Sequence, residues 1–297
     1  MKKLIPFTLA FGLVCLQWTG SAHAQLGDTL QKIKSSGVIH LGGRDATLPF
    51  SYVVNGNPIG FSADLCQKVV DAVKSELKLP DLKVQYTIVT PANRIPLVQN
   101  GTIDLECSTT TNTAVRAQQV DFAPTHFVSS IAIAVKKTSR IKSLADLGGK
   151  TVSTVTGSTS IQVLRTHRRN DKLDIKEVSG KDDAETFLLF ATGRADAMIL
   201  DDVKLASLIA QESQPGDYLI LDDRLRDEPY GFMYRNNDPQ FKAVVDRTLV
   251  DLMRNGEMDS LYTKWFLRPV PPRGLNLNFP MTPAVKEAYR NPSSRGI

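Results

Sequence analysis

Short apolar strands alternate with amphipathic helices along this chain, and the alternation begins twice; no other feature restricts the fold so tightly. Residues 38–42 make a short strand that ends in a glycine turn. Residues 64–77 carry apolar side chains at 65, 66, 69, 70, 73 and 77, the spacing of a helix with one buried face. Residues 83–89 alternate as a strand, 91–100 read as a short helix stopped by Gly101, and 103–107 return to strand. This β-α-β-α-β order predicts a mainly parallel sheet with helices on both faces, because parallel neighbours need a long crossover and a helix supplies it. The same grammar restarts downstream. Strands are expected at 150–155, 174–178 and 195–200, with a helix opened by Gly157-Ser158-Thr159-Ser160 and another at 183–192. Residues 97–104 and 190–196 echo one another, each leaving a helix at a glycine and entering a strand, which suggests two similar lobes. A strand-like 231–234 then precedes a long helix over 239–255 and a last short helix holding Tyr262, Trp265 and Phe266. Pro269, Pro271 and Pro272 end regular helix, and the polar tail from Gly274 is expected to be partly loose.

The N-terminus sets the compartment. Lys2 and Lys3 precede an apolar stretch over 4–16, and Ala22-His23-Ala24 offers a small-x-small cleavage site. The expected leader is therefore residues 1–24, with a mature, periplasmic chain starting at Gln25. Val14 before Cys15 argues against a lipid anchor, and no later segment has the ~20 apolar residues of a membrane span. Removing 24 of 297 residues leaves 273, more than one typical core, so two domains are expected. The chain carries 36 Lys+Arg against 31 Asp+Glu, a net +5 that falls to +3 without Lys2 and Lys3. That is too mild and too scattered for a nucleic-acid protein, but it suits an anionic small ligand. Two cysteines remain, Cys66 and Cys107. An oxidising compartment permits a disulfide between them, while the plainer reading, which carries more weight, is two buried thiols acting as small hydrophobes. The remaining histidines, His40, His126 and His167, are far apart in sequence, so no metal or other cofactor is expected. Neither a nucleophile elbow nor a phosphate loop appears.

Several segments, in order, resemble the type-II periplasmic solute-binding proteins for amino acids. They are Pro49-Phe50-Ser51-Tyr52 with 60–65, then Asn100-Gly101-Thr102-Ile103-Asp104, then 109–116, and then Asp121-Phe122-Ala123-Pro124. Residues 150–160, Gly193-Arg194-Ala195-Asp196 and Tyr262-Thr263-Lys264-Trp265-Phe266 complete the run, so the resemblance covers about 28–280. Asn93-Arg94-Ile95-Pro96-Leu97 and Asn276-Leu277-Asn278-Phe279 are most similar to the glutamate/aspartate receptors of that family. The resemblance implies an α/β fold, periplasmic binding protein type II, of two lobes joined by two crossover strands. Lobe 1 would be residues 25–125 plus 231–270, lobe 2 would be 129–226, and 271–297 a C-terminal tail. It also implies a monomer that is not an enzyme and that hands an amino acid to the membrane permease of an ABC importer. A chemosensory partner role and a cleft dehydratase of the same fold are the other readings.

By the same resemblance, Arg116 would clamp the ligand α-carboxylate, helped by Thr109, Thr111 and the helix N-terminus at Thr159. Asp201 would anchor the ammonium. Arg44 and Arg94 match the two arginines that face an acidic ligand side chain, and two cations in one cleft favour a second negative charge. Taken as bare residue types, these arginines would be surface cations and Thr159 an ordinary N-cap; Asp202 reads as a helix cap. Two positions depart from the family pattern. Pro91 stands where those receptors have a serine, and Asp183 where they have a histidine. If it faced the ligand, Asp183 would repel a second carboxylate or neutralise one arginine, which keeps glutamine or asparagine open as the ligand.

Overall fold

The computed structural model describes residues 29–297; the expected leader, residues 1–24, lies outside the described residues. Among the described residues no helix is long and apolar enough to cross a membrane. The first sheet runs in the order Lys83–Ile88, Val38–Gly43, Leu105–Glu106, Met233–Tyr234, Asp121–Phe122. Its first three strands are parallel, in register from Val38 opposite Lys83 to Gly43 opposite Ile88, whereas Met233–Tyr234 runs antiparallel to both neighbours. Helix Phe61–Leu77 turns Leu65, Val69, Val70 and Val73 inward, and helix Pro239–Arg254 turns Phe241, Val245 and Leu249 into the same core. A small antiparallel sheet of Ala46–Thr47, Ser51–Val54 and Asn57–Ile59 flanks it.

The second sheet runs Lys176–Gly180, Thr151–Val155, Ala197–Asp201, Phe127–Lys136, Tyr218–Ile220. Again the first three strands are parallel, but the ten-residue Phe127–Lys136 is antiparallel to everything it touches. Each sheet is thus mainly parallel, as expected, with one strand running against the rest, Met233–Tyr234 in the first and Phe127–Lys136 in the second. Residues 127–136 escape a periodicity search because both faces of the strand are buried. Ile131, Ile133 and Val135 enter one apolar cluster, and Ala132 and Ala134 enter the cluster on the opposite face. Arg226–Tyr230 pairs along the start of this strand, Tyr230 opposite Phe127 and Arg226 opposite Ile131. These two antiparallel segments connect the lobes.

Two expectations fail. Cys66 and Cys107 are joined in a disulfide with Cα atoms 6.0 Å apart. Cys66 lies on the buried face of its helix and Cys107 follows the central strand Leu105–Glu106, so close packing of helix on sheet brings the sulfurs together. The tail is not loose. Pro283–Arg290 forms a helix, capped by the Thr282 hydroxyl, that buries Val285 and Tyr289 four residues apart. The Tyr289 hydroxyl donates to the His126 carbonyl (3.1 Å), and the Thr125 amide donates to the Ser293 carbonyl (2.9 Å). The last residue, Ile297, exchanges backbone hydrogen bonds with Asn112 and Ala114.

Candidate ligand-binding cleft

Arg44 follows the strand Val38–Gly43 into the space between the lobes. A Cβ at position 43 would overlap the Tyr86 hydroxyl, so glycine at the strand end is what lets Tyr86 lie this close. The Arg44 amide donates to Ser51 Oγ (2.9 Å), and that oxygen lies 3.0 Å from the Tyr86 hydroxyl. Burial pushes the Tyr86 phenol up to about 12, which keeps it neutral. Arg94 opens the helix Arg94–Gln99; the expected helix from residue 91 starts three residues late because 91–93 form a turn. The Arg94 guanidinium stands 3.7 Å from the buried Glu106 carboxylate, which also accepts the Thr110 hydroxyl (2.9 Å). Burial drives both partners towards neutrality, Arg94 down and Glu106 up, while each opposes the shift of the other.

From the second lobe come Thr159, Asp183 and Asp201. Thr159 begins the helix Thr159–Asn170, but the N-cap is Ser158, whose hydroxyl accepts the Ile161 amide. The Thr159 hydroxyl is therefore released into the cleft, where it donates to Glu228 Oε2 (2.6 Å). Asp201 ends the strand Ala197–Asp201, and one of its oxygens lies 2.9 Å from Lys204 Nζ, three residues on. Asp202 is not a cap in the usual sense. Its carboxylate accepts the Ser129 hydroxyl (2.6 Å), the Ser130 amide (3.2 Å) and the Val203 amide (2.8 Å), tying its helix to the crossover strand.

The lobes meet across the cleft. Asp183 accepts the Thr47 hydroxyl (2.9 Å) and lies 3.8 Å from the Arg44 guanidinium. Burial pushes its carboxyl up, yet Lys204, Arg44, the Thr47 hydrogen bond and Arg94 together hold it below the ordinary carboxylate range. Asp183 is therefore held ionised against the Arg44 cation. Arg116, in the short helix Ala114–Ala117, donates to the carbonyls of Thr111 (3.0 Å) and, across the gap, Gly157 (3.1 Å). Burial, with Arg94 nearby, brings Arg116 down to about 9, still cationic at neutral pH. Glu228, from the crossover Arg226–Tyr230, accepts both the Thr111 and Thr159 hydroxyls and pairs with Arg226 at 2.7 Å. Burial and the neighbouring Asp201 raise its carboxyl. Gly157 packs onto the first lobe so closely that a Cβ would lie 2.8 Å from Ala92 and 2.9 Å from Pro91. Pro91, which departs from the family pattern, is thus part of the surface on which the second lobe rests.

All eight residues singled out from the sequence are buried here. Arg44, Arg94, Arg116, Thr111, Thr159, Asp183 and Asp201 fall into one network of contacts and mutual fields; the Thr109 hydroxyl makes no hydrogen bond among the described residues. The sequence reading passed over Thr47, Glu106, Lys204 and Glu228. A charged residue between Leu105 and Cys107, in an expected buried strand, could have exposed Glu106, and the i,i+3 spacing from Asp201 could have exposed Lys204. Nothing in the local sequence marks Glu228. Several polar atoms in this network have no hydrogen-bond partner among the described residues. Among them are Arg44 Nη1, Arg94 Nε and Thr109 Oγ1 on the donor side and Asp201 Oδ1 on the acceptor side, while Arg94 Nη1 and Glu106 Oε1 face each other at 3.7 Å. Buried polar groups are normally satisfied, so these atoms outline the complement of a ligand with carboxylates and an ammonium. Among the described residues no group of three or more His, Cys, Asp or Glu could hold a metal ion.

The chain is similar to known proteins in sequence and in fold. The model of the bacterial extracellular solute-binding proteins, family 3, matches residues 39–268. A Pseudomonas aeruginosa protein described as an L-glutamate/L-aspartate-binding protein is 45% identical over 99% of this chain and 98% of its own length. An Escherichia coli glutamate/aspartate import solute-binding protein is 38% identical, over 100% of this chain and 99% of its own. Among solved structures, an ancestral arginine-binding protein bound to arginine superposes with a TM-score of 0.70 at 29% identity, covering 77% of this chain and 98% of that one.

Proposed function

The chain belongs to the bacterial extracellular solute-binding proteins, family 3, and from that premise we propose that it is the periplasmic receptor of an amino-acid ABC importer, binding glutamate or aspartate between its lobes. The observation that carries this reading is the set of buried, unpartnered donors on Arg44, Arg94 and Thr109, opposite an unpartnered acceptor on Asp201. Two arginines from one lobe suit the side-chain carboxylate of the ligand. Asp201 Oδ1 suits the ammonium. Arg116 spends two of its five N–H donors on carbonyls and keeps others for the α-carboxylate, beside the amides that open the helix at Thr159. Asp183 accepts the Thr47 hydroxyl and faces Arg44, so its carboxylate already offsets one of the two side-chain cations and leaves Arg94 as the other. The relatives described above are named for binding and import of glutamate and aspartate, which supports a receptor rather than a dehydratase. On this reading the chain acts as a monomer, and its closed, loaded form is what the membrane permease receives.

Calorimetry with L-glutamate, L-aspartate and L-glutamine tests the proposal. Glutamate or aspartate is expected to bind more tightly than glutamine. Arg44→Ala should narrow that gap, and Asp201→Asn should weaken all three ligands, because every α-amino acid presents an ammonium. Tighter binding of glutamine than of either acid by the wild-type protein would refute the substrate assignment.

A further inference from the structure

Residues 291–297 hold a fixed course that core packing does not explain. None of them is buried, and Ile297 is 46% exposed. The preceding helix, Pro283–Arg290, already secures this end of the chain by burying Val285 and Tyr289. What fixes 291–297 is a set of hydrogen bonds to the first lobe. The Thr125 amide donates to the Ser293 carbonyl (2.9 Å), and the Asn112 side-chain amide donates to the Ser294 carbonyl (2.7 Å). The Ile297 amide donates to the Asn112 carbonyl (3.1 Å), and the Ala114 amide donates to the Ile297 carbonyl (2.8 Å).

All but the first of these bonds end on the loop that presents Arg116. On its other side the same loop pairs with the crossover, where the Asn112 amide donates to the Pro229 carbonyl (2.8 Å) and the Gly231 amide donates to the Thr110 carbonyl (3.0 Å). Buried Asn112 is thus clasped between crossover and tail. Ala114 opens the helix Ala114–Ala117, and a single turn of helix is unfavourable on its own, so its orientation must come from outside. Of the amides that any helix leaves unpaired at its start, Ile297 takes that of Ala114, and the Thr113 hydroxyl takes that of Arg116 (3.3 Å). The fit is close. A Cβ on Gly296 would lie 2.5 Å from Asn112 Oδ1 and 2.6 Å from the Asn112 carbonyl oxygen. Gly296 is not in the left-handed region, so the close approach alone calls for glycine there.

We propose that residues 291–297 are a positioning strap for the ligand clamp. Acting through Asn112 and Ala114, they hold the short helix so that the free donors of the Arg116 guanidinium face the ligand α-carboxylate. This deepens the proposed function and rests on its reading of Arg116 as the α-carboxylate partner. Every α-amino acid presents that carboxylate, so the strap sets affinity and leaves selectivity alone.

The test is calorimetry with L-glutamate, L-aspartate and L-glutamine on the full chain, on a chain lacking residues 291–297 and on Gly296→Ala. Each variant should weaken every ligand that the wild type binds by about tenfold, and leave the ratio between any two of them within about twofold. Arg295→Ala, at an exposed side chain of the same segment, is the control and should bind like wild type. A segment that only stabilised the fold would lower the unfolding midpoint and leave the affinity of the folded protein within about threefold of wild type, which overturns the proposal. A loss confined to the acidic ligands also overturns it, because the effect would then lie in the side-chain pocket. Should the truncated chain fail to fold, Gly296→Ala decides, and wild-type affinity in that folded variant overturns the proposal. Arg116→Ala binding like wild type would instead overturn the clamp reading on which the strap depends, and that outcome is visible without touching the tail.

Discussion

Gly157→Ala isolates the energetics of closure. Gly157 has φ +78, and a Cβ there would meet the Ala92 and Pro91 backbone of the opposite lobe at 2.8–2.9 Å. Two separable penalties follow. The left-handed backbone costs an L-residue about 1–2 kcal/mol in the open and closed states alike, so it lowers stability without touching affinity. The overlap exists only when the lobes meet, and because backbone cannot swing away as a flexible side chain can, overpacking adds about 1–3 kcal/mol to closure alone. Affinity for the ligand should fall by about 5- to 150-fold. Gly193 is the internal control, with φ +79, the same lobe and nothing within 4 Å of a Cβ. Gly193→Ala should lower the unfolding midpoint as much as Gly157→Ala does and bind ligand like wild type. Paired calorimetry and thermal melts on the two variants read both quantities. If folded Gly157→Ala binds within threefold of wild type, the lobes do not close on this surface.

Other perturbations follow from the same contacts. Replacing Cys66 and Cys107 by alanine opens a link across a sequence separation of 41 and should cost about 4 kcal/mol, on the order of 10 °C in a thermal melt; an unchanged midpoint would refute it. Arg94→Ala strands Glu106 in the interior and should cost about 3–5 kcal/mol in urea unfolding, whereas Arg94→Met with Glu106→Gln should regain most of it. A single variant as stable as wild type would show that Glu106 does not depend on Arg94. Burial holds His126 down at about 3, so the unfolded chain takes up the proton first as pH drops. His126 should therefore reduce stability progressively from pH ~6.5 down to ~3, by up to ~5 kcal/mol, and His126→Phe should flatten that limb of the pH–stability curve.

How far the sequence could be read depended on the range of the interaction. Helix 64–77 and strand 83–89 were legible because their periodicity lies within a dozen residues; the structure gives Phe61–Leu77 and Lys83–Ile88. The strand Phe127–Lys136 was not, because two-sided burial removes the alternation that marks a strand. The tail helix went unread because it is short and only two of its large side chains, Val285 and Tyr289, are buried, which is little to announce a buried face without the surface they bury against.

The same division runs through the cleft. Sequence order alone determined that two α/β lobes are built, that a short helix presents Arg116 and a strand end presents Asp201, and that Arg44 and Arg94 bring positive charge. Residue type and local spacing carry that much, because strand ends and helix starts are where such side chains emerge. Tertiary structure decided which charge answers which. Glu106 takes Arg94, Glu228 gathers Thr111 and Thr159 from 117 and 69 residues away, and Asp183 meets Thr47 across 136 residues of chain. Buried charges must be compensated within a few ångströms, and which groups lie that close is a property of how the lobes pack, written nowhere in the spacing of the residues themselves.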